Sequence, residues 1–123
     1  LAQENERLLM LRRRLWSAIE RLPGISLNGH PEERLPGALN ISVADVEGEA
    51  LLLSLPEFAL STGSACTSAS LEPSYVLRAL GLSDALAHSS LRVSLGRFTT
   101  TDDVDLFARR LREVVPRLRS EAA

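Results

Sequence analysis

Apolar residues recur at spacings of three and four in two long segments of the chain, which is the pattern of a helix with one buried face. In the first segment, from Glu4 to Leu22, the apolar positions are Leu8, Leu11, Leu15, Ile19 and Leu22. Pro23-Gly24 is expected to end this helix. Because glutamates share the helix, a solvated face is predicted for its arginines, which are Arg7, Arg12, Arg13, Arg14 and Arg21.

The second long segment begins with the polar run Thr99 to Asp103, in which a capping residue is followed by acidic side chains. Its apolar positions at helical spacing are Val104, Phe107, Leu111, Val114, Val115 and Leu118. Pro116 lies inside this pattern. Because proline has no backbone N–H for the helix interior, we predict that the helix kinks or ends near Val115.

Alternation of apolar and polar residues, or a short apolar run, predicts four strands between the long helices. They are Ile25 to Leu27, Ala38 to Val43, Phe58 to Leu60 and Leu91 to Leu95. Two shorter helices are expected, one from Val46 to Leu55 with Asp45 as its cap and one from Ser70 to Gly81. A small, mainly antiparallel sheet flanked by two long helices makes an α+β domain.

The composition of the chain argues against several classes of function. At 123 residues the chain fits a single domain, and its formal net charge of -2 argues against a nucleic-acid-binding surface. All 14 cationic side chains are arginine, so no residue here can form a Schiff base through lysine. No apolar run is long enough to span a membrane, and a single cysteine suits a reducing cytoplasm.

That cysteine, Cys66, lies in the run Ser61 to Ser70, where every side chain is small. Such a segment buries little apolar area, so we predict a mobile loop whose thiol can meet a partner molecule. A thiol becomes nucleophilic when a cation, a helix amino terminus or a base favours its thiolate. His88 lies 22 positions downstream, which leaves a Cys–His pair of the thiol-hydrolase type open.

Arg92 stands in the middle of a predicted strand between apolar neighbours. One interpretation is an edge residue whose aliphatic stem covers the sheet. The other is a guanidinium fork for a carboxylate, which needs a rigid base such as a strand. Arg97, which follows Gly96 near the end of the strand, is a second candidate for such a fork. His30, next to Pro31 in a turn, is interpreted as a surface histidine.

Several segments resemble cysteine desulfurases of the IscS-like class, which serve iron–sulfur cluster assembly. The stretch from Ser61 to Gly81 is similar to their active-cysteine loop and following helix, in its long version. Further similarity lies in Leu39-Asn-Ile-Ser, Val46-Glu-Gly-Glu, Leu27-Asn-Gly, Arg14-Leu-Trp-Ser and the segment from Ala87 to Thr99. The resemblance therefore covers nearly the whole chain.

This resemblance implies the small domain of a fold-type I pyridoxal phosphate enzyme, a homodimer that converts L-cysteine to L-alanine. Cys66 would attack the substrate sulfur, carry a persulfide, and pass it to an iron–sulfur scaffold or another acceptor protein. Arg92 matches the strand arginine that holds the substrate carboxylate. In some members the loop cysteine transiently shares a 2Fe-2S cluster with the scaffold, which makes Cys66 a candidate temporary iron ligand.

The chain departs from the family pattern in two places. The lysine and the cradle for the cofactor belong to the family's large domain, and no lysine is present here. Residues 1–123 are therefore expected to be the carboxyl-terminal small domain, inactive alone. The family's carboxyl-terminal tail, which docks the scaffold, is expected to be missing or replaced by Ser120-Glu-Ala-Ala. A non-enzymatic sulfur-carrier or interaction module and a Cys–His thiol hydrolase stay open as alternatives.

Overall fold

A computed structural model describes residues 2–28, 36–55, 58, 60–62 and 89–122. Along the chain, the elements are helix α1 (Ala2–Ile19), strands β1 (Ile25–Leu27) and β2 (Ala38–Val43), helix α2 (Gly48–Ser54), strands β3 (Leu60–Thr62) and β4 (Ser90–Ser94), and helix α3 (Thr101–Ala122). The predicted helix from Ser70 to Gly81 and the turn around His30 lie outside the described residues.

The four strands form one antiparallel sheet in the order β1-β2-β4-β3. Strands β1 and β2 have the predicted bounds, and β4 begins and ends one residue earlier than predicted. The predicted α+β class is confirmed. Because β4 lies between β2 and β3, its residues have a neighbouring strand on both sides.

The hydrophobic core lies between one face of this sheet and the two long helices. From the sheet it receives Leu39, Ile41 and Val43 of β2 and Leu91 and Val93 of β4. Most of the predicted apolar helix positions are buried; they are Leu11, Leu15, Ile19, Val104, Phe107, Leu111, Val114 and Val115. Both predicted apolar helix faces are thus confirmed.

Helix α1 ends at Ile19, three residues before the predicted end at Leu22. The chain then turns, with the Leu22 backbone N–H donating to the carbonyl of Ile19 at 3.0 Å. Pro23 explains the early end, because the residue before a proline is disfavoured in helical conformation. Gly24 completes the turn at φ 79°, a left-handed conformation that glycine adopts without steric cost.

The predicted cap of α2 is wrong. Asp45 lies in the preceding turn at φ 65°, and the helix begins at Gly48 with Glu47 as its N-cap, which makes no side-chain capping hydrogen bond. The turn itself uses residue 45, because the Val46 N–H donates to the carbonyl of Val43 at 3.3 Å. Aspartate tolerates this left-handed conformation better than most residues, so it can occupy this position of the turn.

Strand β3 begins at Leu60, two residues later than predicted. Phe58 lies in a bend, and its ring packs edge-to-face on Phe107 of α3, with the centroids 4.9 Å apart. Such aromatic pairs stabilise a fold by more than their buried apolar area alone would give. A tertiary contact that the local pattern does not encode therefore sets where the strand starts.

The predicted solvated face of α1 is wrong for two of its arginines. Arg12 is 4% exposed, and Arg7 donates to the carbonyls of Thr99 at 2.7 Å, Gly96 at 2.9 Å and Arg97 at 3.0 Å while it pairs with Glu4. The hydrogen bond from Arg7 is the main cause that lowers the pKa of Glu4. Since a guanidinium carries five donors, one arginine can hold a whole turn.

The prediction that Pro116 ends the last helix near Val115 is wrong, because α3 continues through Pro116 to Ala122. Val114 and Val115, just before it, are fully buried, and Arg119, one turn later, donates to the carbonyl of Ala44 at 2.9 and 3.1 Å. These contacts hold the helix on both sides of the proline, and they offset its missing hydrogen bond.

Replacing Pro116 by alanine should raise the free energy of unfolding by about 2 kcal/mol. About 3 kcal/mol of helix propensity is gained, and up to about 1 kcal/mol is lost because the unfolded chain becomes more flexible. Thermal unfolding should then occur about 5–10 °C higher. Pro116→Gly restores the same N–H with a residue of lower helix propensity, so its melting temperature should lie between those of the parent and Pro116→Ala. A lower melting temperature for Pro116→Ala than for the parent would contradict this account.

Candidate functional site

Opposite the core, the sheet carries a row of polar side chains, here called the polar sheet face. On β1, β2 and β4, residues with even numbers point to this side, since successive side chains of a strand alternate. Its members on β1, β2 and β4 are Ser26, Asn40, Ser42, Ser90, Arg92 and Ser94. The register pairs them with one another: Ser26 with Ser42, Ser42 with Ser90, and Asn40 with Arg92.

Arg92 lies at the centre of the polar sheet face. It faces Asn40 of β2 on one side and Ser61 of β3 on the other. Its side chain is exposed, and among the described residues no hydrogen bond or ion pair engages its guanidinium. The interpretation as an edge residue is wrong, because β4 is a central strand. A guanidinium on a rigid strand, without a protein acceptor in this part of the chain, can bind an added carboxylate through two parallel hydrogen bonds.

A hydrogen-bonded cluster lies beside Arg92 on the same face. The Asn28 amide nitrogen donates to Asn40 Oδ1 at 2.9 Å and to Ser42 Oγ at 3.0 Å. Asn28 and Ser42 are both buried, and the Asn28 backbone N–H donates to the carbonyl of Asn40 at 2.8 Å. Sequence reasoning assigned no role to these residues. The available signal was the alternation that puts Asn40 and Ser42 opposite the apolar side of β2.

The other predicted site residues fall in different places. Cys66 and His88 lie outside the described residues, so their predicted roles stay predictions. Of the predicted small-residue loop, Ser61 and Thr62 belong to β3, and Ser61 is directly opposite Arg92. The start of the Cys66 segment and the candidate carboxylate-binding arginine are therefore neighbours in the sheet.

Arg97 does not join this site. It lies in the turn after β4, where its guanidinium is 5.7 Å from the centre of the Phe98 ring and its carbonyl accepts from Arg7. A cation over an aromatic face is attracted by the ring. The idea of a second carboxylate-binding arginine on the strand thus finds no support in this position.

Within 2–28, 36–55, 58, 60–62 and 89–122, no group of three or more His, Cys, Asp and Glu side chains is arranged to hold a metal ion. None of the helices seen in the same ranges is long and apolar enough to cross a membrane.

Comparison with known proteins gives a family match and close relatives. The model of the class-V aminotransferases matches residues 1–107. The chain is 55% identical over 119 residues to the cysteine desulfurase IscS of Aeromonas salmonicida, and 56% identical to that of Escherichia coli K12. In both cases the match covers 97% of this chain and 30% of the relative's length.

Solved structures agree on the fold. A NifS-like protein superposes with a TM-score of 0.80 at 25% identity, over 95% of this chain and 29% of the other. A NifS-like protein from Rickettsia africae gives a TM-score of 0.76 at 21% identity, over 93% of this chain and 29% of the other. The chain thus spans about 30% of the length of the curated relatives that it matches.

Proposed function

The chain belongs to the class-V aminotransferase family, and from this premise we propose that it is the carboxyl-terminal small domain of a cysteine desulfurase. The observation that carries the proposal is 55% identity over 97% of the chain to a protein of that name. The proposed enzyme removes sulfur from L-cysteine and releases L-alanine. Its site residues in this chain are Cys66 and Arg92.

The chain's residues do not fit the cofactor that the family uses. Pyridoxal phosphate needs a lysine for its Schiff base, and the sequence has none. The polar sheet face, with one arginine, amides and hydroxyls, suits a carboxylate rather than an aldehyde cofactor. We therefore assign cofactor binding, which supplies the electron sink of the reaction, to the part of the enzyme outside this chain.

Arg92 is proposed to fix the substrate by its carboxylate. A planar guanidinium binds a planar carboxylate through two parallel hydrogen bonds, which restricts both position and rotation. The strand under Arg92 supports this role because β4 is paired on both sides. Held in this way, the substrate presents its Cβ–sulfur bond in one orientation, and such positioning is itself a large contribution to rate.

Cys66 is proposed to receive the sulfur. Its thiolate attacks the substrate sulfur, a sulfur–sulfur bond forms, and the Cβ–sulfur bond breaks. The electron pair of the broken bond stays on carbon, which takes a proton to become the methyl group of alanine. Cys66 follows Thr62, the end of β3, by four residues, so the chain holds its Cα within about 14 Å of that strand end.

The persulfide on Cys66 is then available to an acceptor protein. We propose an iron–sulfur scaffold among the acceptors, with Cys66 as a transient ligand of its 2Fe-2S cluster, and a homodimer as the working form. The family and the activity named for the relatives support a sulfur-transfer role in general. A single cysteine suits a reducing compartment, which agrees with a cytoplasmic enzyme.

The test uses the full-length protein loaded with pyridoxal phosphate and given L-cysteine. Release of alanine, together with one added sulfur atom on the peptide that contains Cys66, is the expected result. The same incubation without the cofactor is the control. A persulfide that forms equally well without cofactor and without alanine would instead indicate a sulfur-carrier module. Neither product would mean that the fold is present without this chemistry.

A further inference from the structure

Asn40 is the immediate neighbour of Arg92 on the polar sheet face. The two residues are direct partners across the antiparallel pair of β2 and β4. Side chains at such positions have Cβ atoms about 4.5–5.5 Å apart and project to the same side. Asn40 is half-buried, so its amide is reachable from the side on which Arg92 is exposed.

The amide of Asn40 has a defined orientation. Its Oδ1 accepts from the Asn28 amide nitrogen at 2.9 Å. Asn28 follows β1, which lies on the side of β2 away from β4. Because the oxygen and nitrogen of an amide lie on opposite arms of one plane, an oxygen toward β1 leaves Nδ2 on the side of β4 and Arg92. Among the described residues, Nδ2 of Asn40 has no hydrogen-bond partner.

Asn28 is well placed to keep that orientation. It is 4% exposed, and its backbone N–H donates to the Asn40 carbonyl at 2.8 Å. Its amide also exchanges hydrogen bonds with Ser42 Oγ at 3.0 and 3.3 Å. A buried amide held at several points has little freedom to rotate, so it presents a fixed donor to Asn40.

We propose that Asn40 donates from Nδ2 to the substrate carboxylate that Arg92 binds, and that Asn28 is the positioning residue that turns this donor toward it. The inference rests on the proposed function and adds two residues to its substrate site. A carboxylate offers about four lone-pair sites, of which a guanidinium fork uses two. A carboxylate bound on the Nε edge of Arg92, close to the strand, leaves an oxygen for the short amide next to it.

The test is calorimetric binding of L-alanine, the product, to the full-length enzyme with its cofactor. Asn40→Ala should raise the Kd for L-alanine by about tenfold to a hundredfold, the effect of a hydrogen bond to a charged group. Asn40→Asp should raise it further, because an added carboxylate repels the ligand and competes for Arg92. Ethylamine lacks the carboxylate, so its binding should stay the same in both variants.

Asn28→Asp distinguishes positioning from general support of the fold. Aspartate has the shape of asparagine but can only accept, so it would draw Nδ2 of Asn40 toward itself and away from the ligand. We expect a higher Kd for L-alanine in this variant, with thermal unfolding showing that it is folded, while Ser17→Ala, an exposed serine of α1 outside the polar sheet face, keeps the parent value. If Asn28→Asp does not fold, the two Asn40 variants decide.

The outcomes separate this inference from the proposed function. If Arg92→Gln weakens L-alanine binding while Asn40→Ala stays within about twofold of the parent, the role of Asn40 is overturned and the desulfurase proposal stands. If both Asn40 variants weaken ethylamine as much as L-alanine, the effect is not on the carboxylate, and the inference is likewise overturned. A parent enzyme that neither binds L-alanine nor releases it from L-cysteine overturns both.

Discussion

Replacing Arg92 by glutamine in the full-length enzyme is expected to raise the KM for L-cysteine by about 10²–10⁴-fold. Each charge-assisted hydrogen bond to a carboxylate contributes about 1.5–3 kcal/mol, and the fork makes two of them. The KM of Arg92→Lys should lie between those of the parent enzyme and Arg92→Gln, since an ammonium keeps the charge and loses the bidentate geometry. Steady-state kinetics of alanine release measures the effect.

The structure also predicts what this substitution leaves unchanged. Arg92 is exposed and has no partner in the described part of the chain, so Arg92→Gln should change the free energy of unfolding by less than about 0.5 kcal/mol. Arg109→Gln, an exposed arginine of α3, is the matched control for loss of one positive charge. An equal rise in KM for both variants would mean that net charge, and not the fork, attracts the substrate.

Local pattern was sufficient for strands β1 and β2 and for the apolar faces of the two long helices. In β1 and β2 the alternation of apolar and polar residues is bounded by turn residues, and both strands have their predicted limits. The apolar faces of α1 and α3 were predicted because a helix must bury one stripe to be stable. The same alternation put Arg92 and Asn40 on the polar side of their strands.

The errors share a physical cause, which is contact between residues far apart in sequence. Phe58 leaves the predicted strand for a ring on α3, and Pro116 is kept helical by buried valines and by Arg119, which binds a turn after β2. Arg7 binds carbonyls more than 80 positions away. None of these contacts leaves a periodic signal in the sequence.

Only part of the candidate site could be predicted, because the rest also depends on contacts between residues far apart in sequence. Arg92 could be singled out because an arginine in a strand is unusual and matches a family position. Its neighbours depend on register: Asn40 becomes the partner of Arg92 only when β2 pairs with β4, and Asn28 reaches Asn40 only through the pairing of β1 with β2. A one-residue slip would place each on the other face.

Replacing Cys66 by serine in the full-length enzyme is expected to reduce alanine release by at least about 10³-fold, the scale of loss when a catalytic nucleophile is removed. A hydroxyl is a far weaker nucleophile than a thiol at neutral pH, and a serine oxygen cannot carry the sulfur onward as a persulfide. The substitution changes one atom, so packing around the residue is nearly preserved. Alanine release and the mass of the peptide that contains residue 66 are the two measurements.

Substitutions of the two site residues should affect different steps, with Arg92 needed for substrate binding and Cys66 for the chemical step. Cys66→Ser should bind L-alanine with the parent Kd, because the carboxylate is held by Arg92, whereas Arg92→Gln should bind it weakly and still form the persulfide at high L-cysteine. Ser68→Ala, in the same small-residue run, is the control for a change in that segment. Undiminished alanine release from Cys66→Ser would contradict the role of this thiol, and the nucleophile would then have to be sought outside the chain, since Cys66 is its only cysteine.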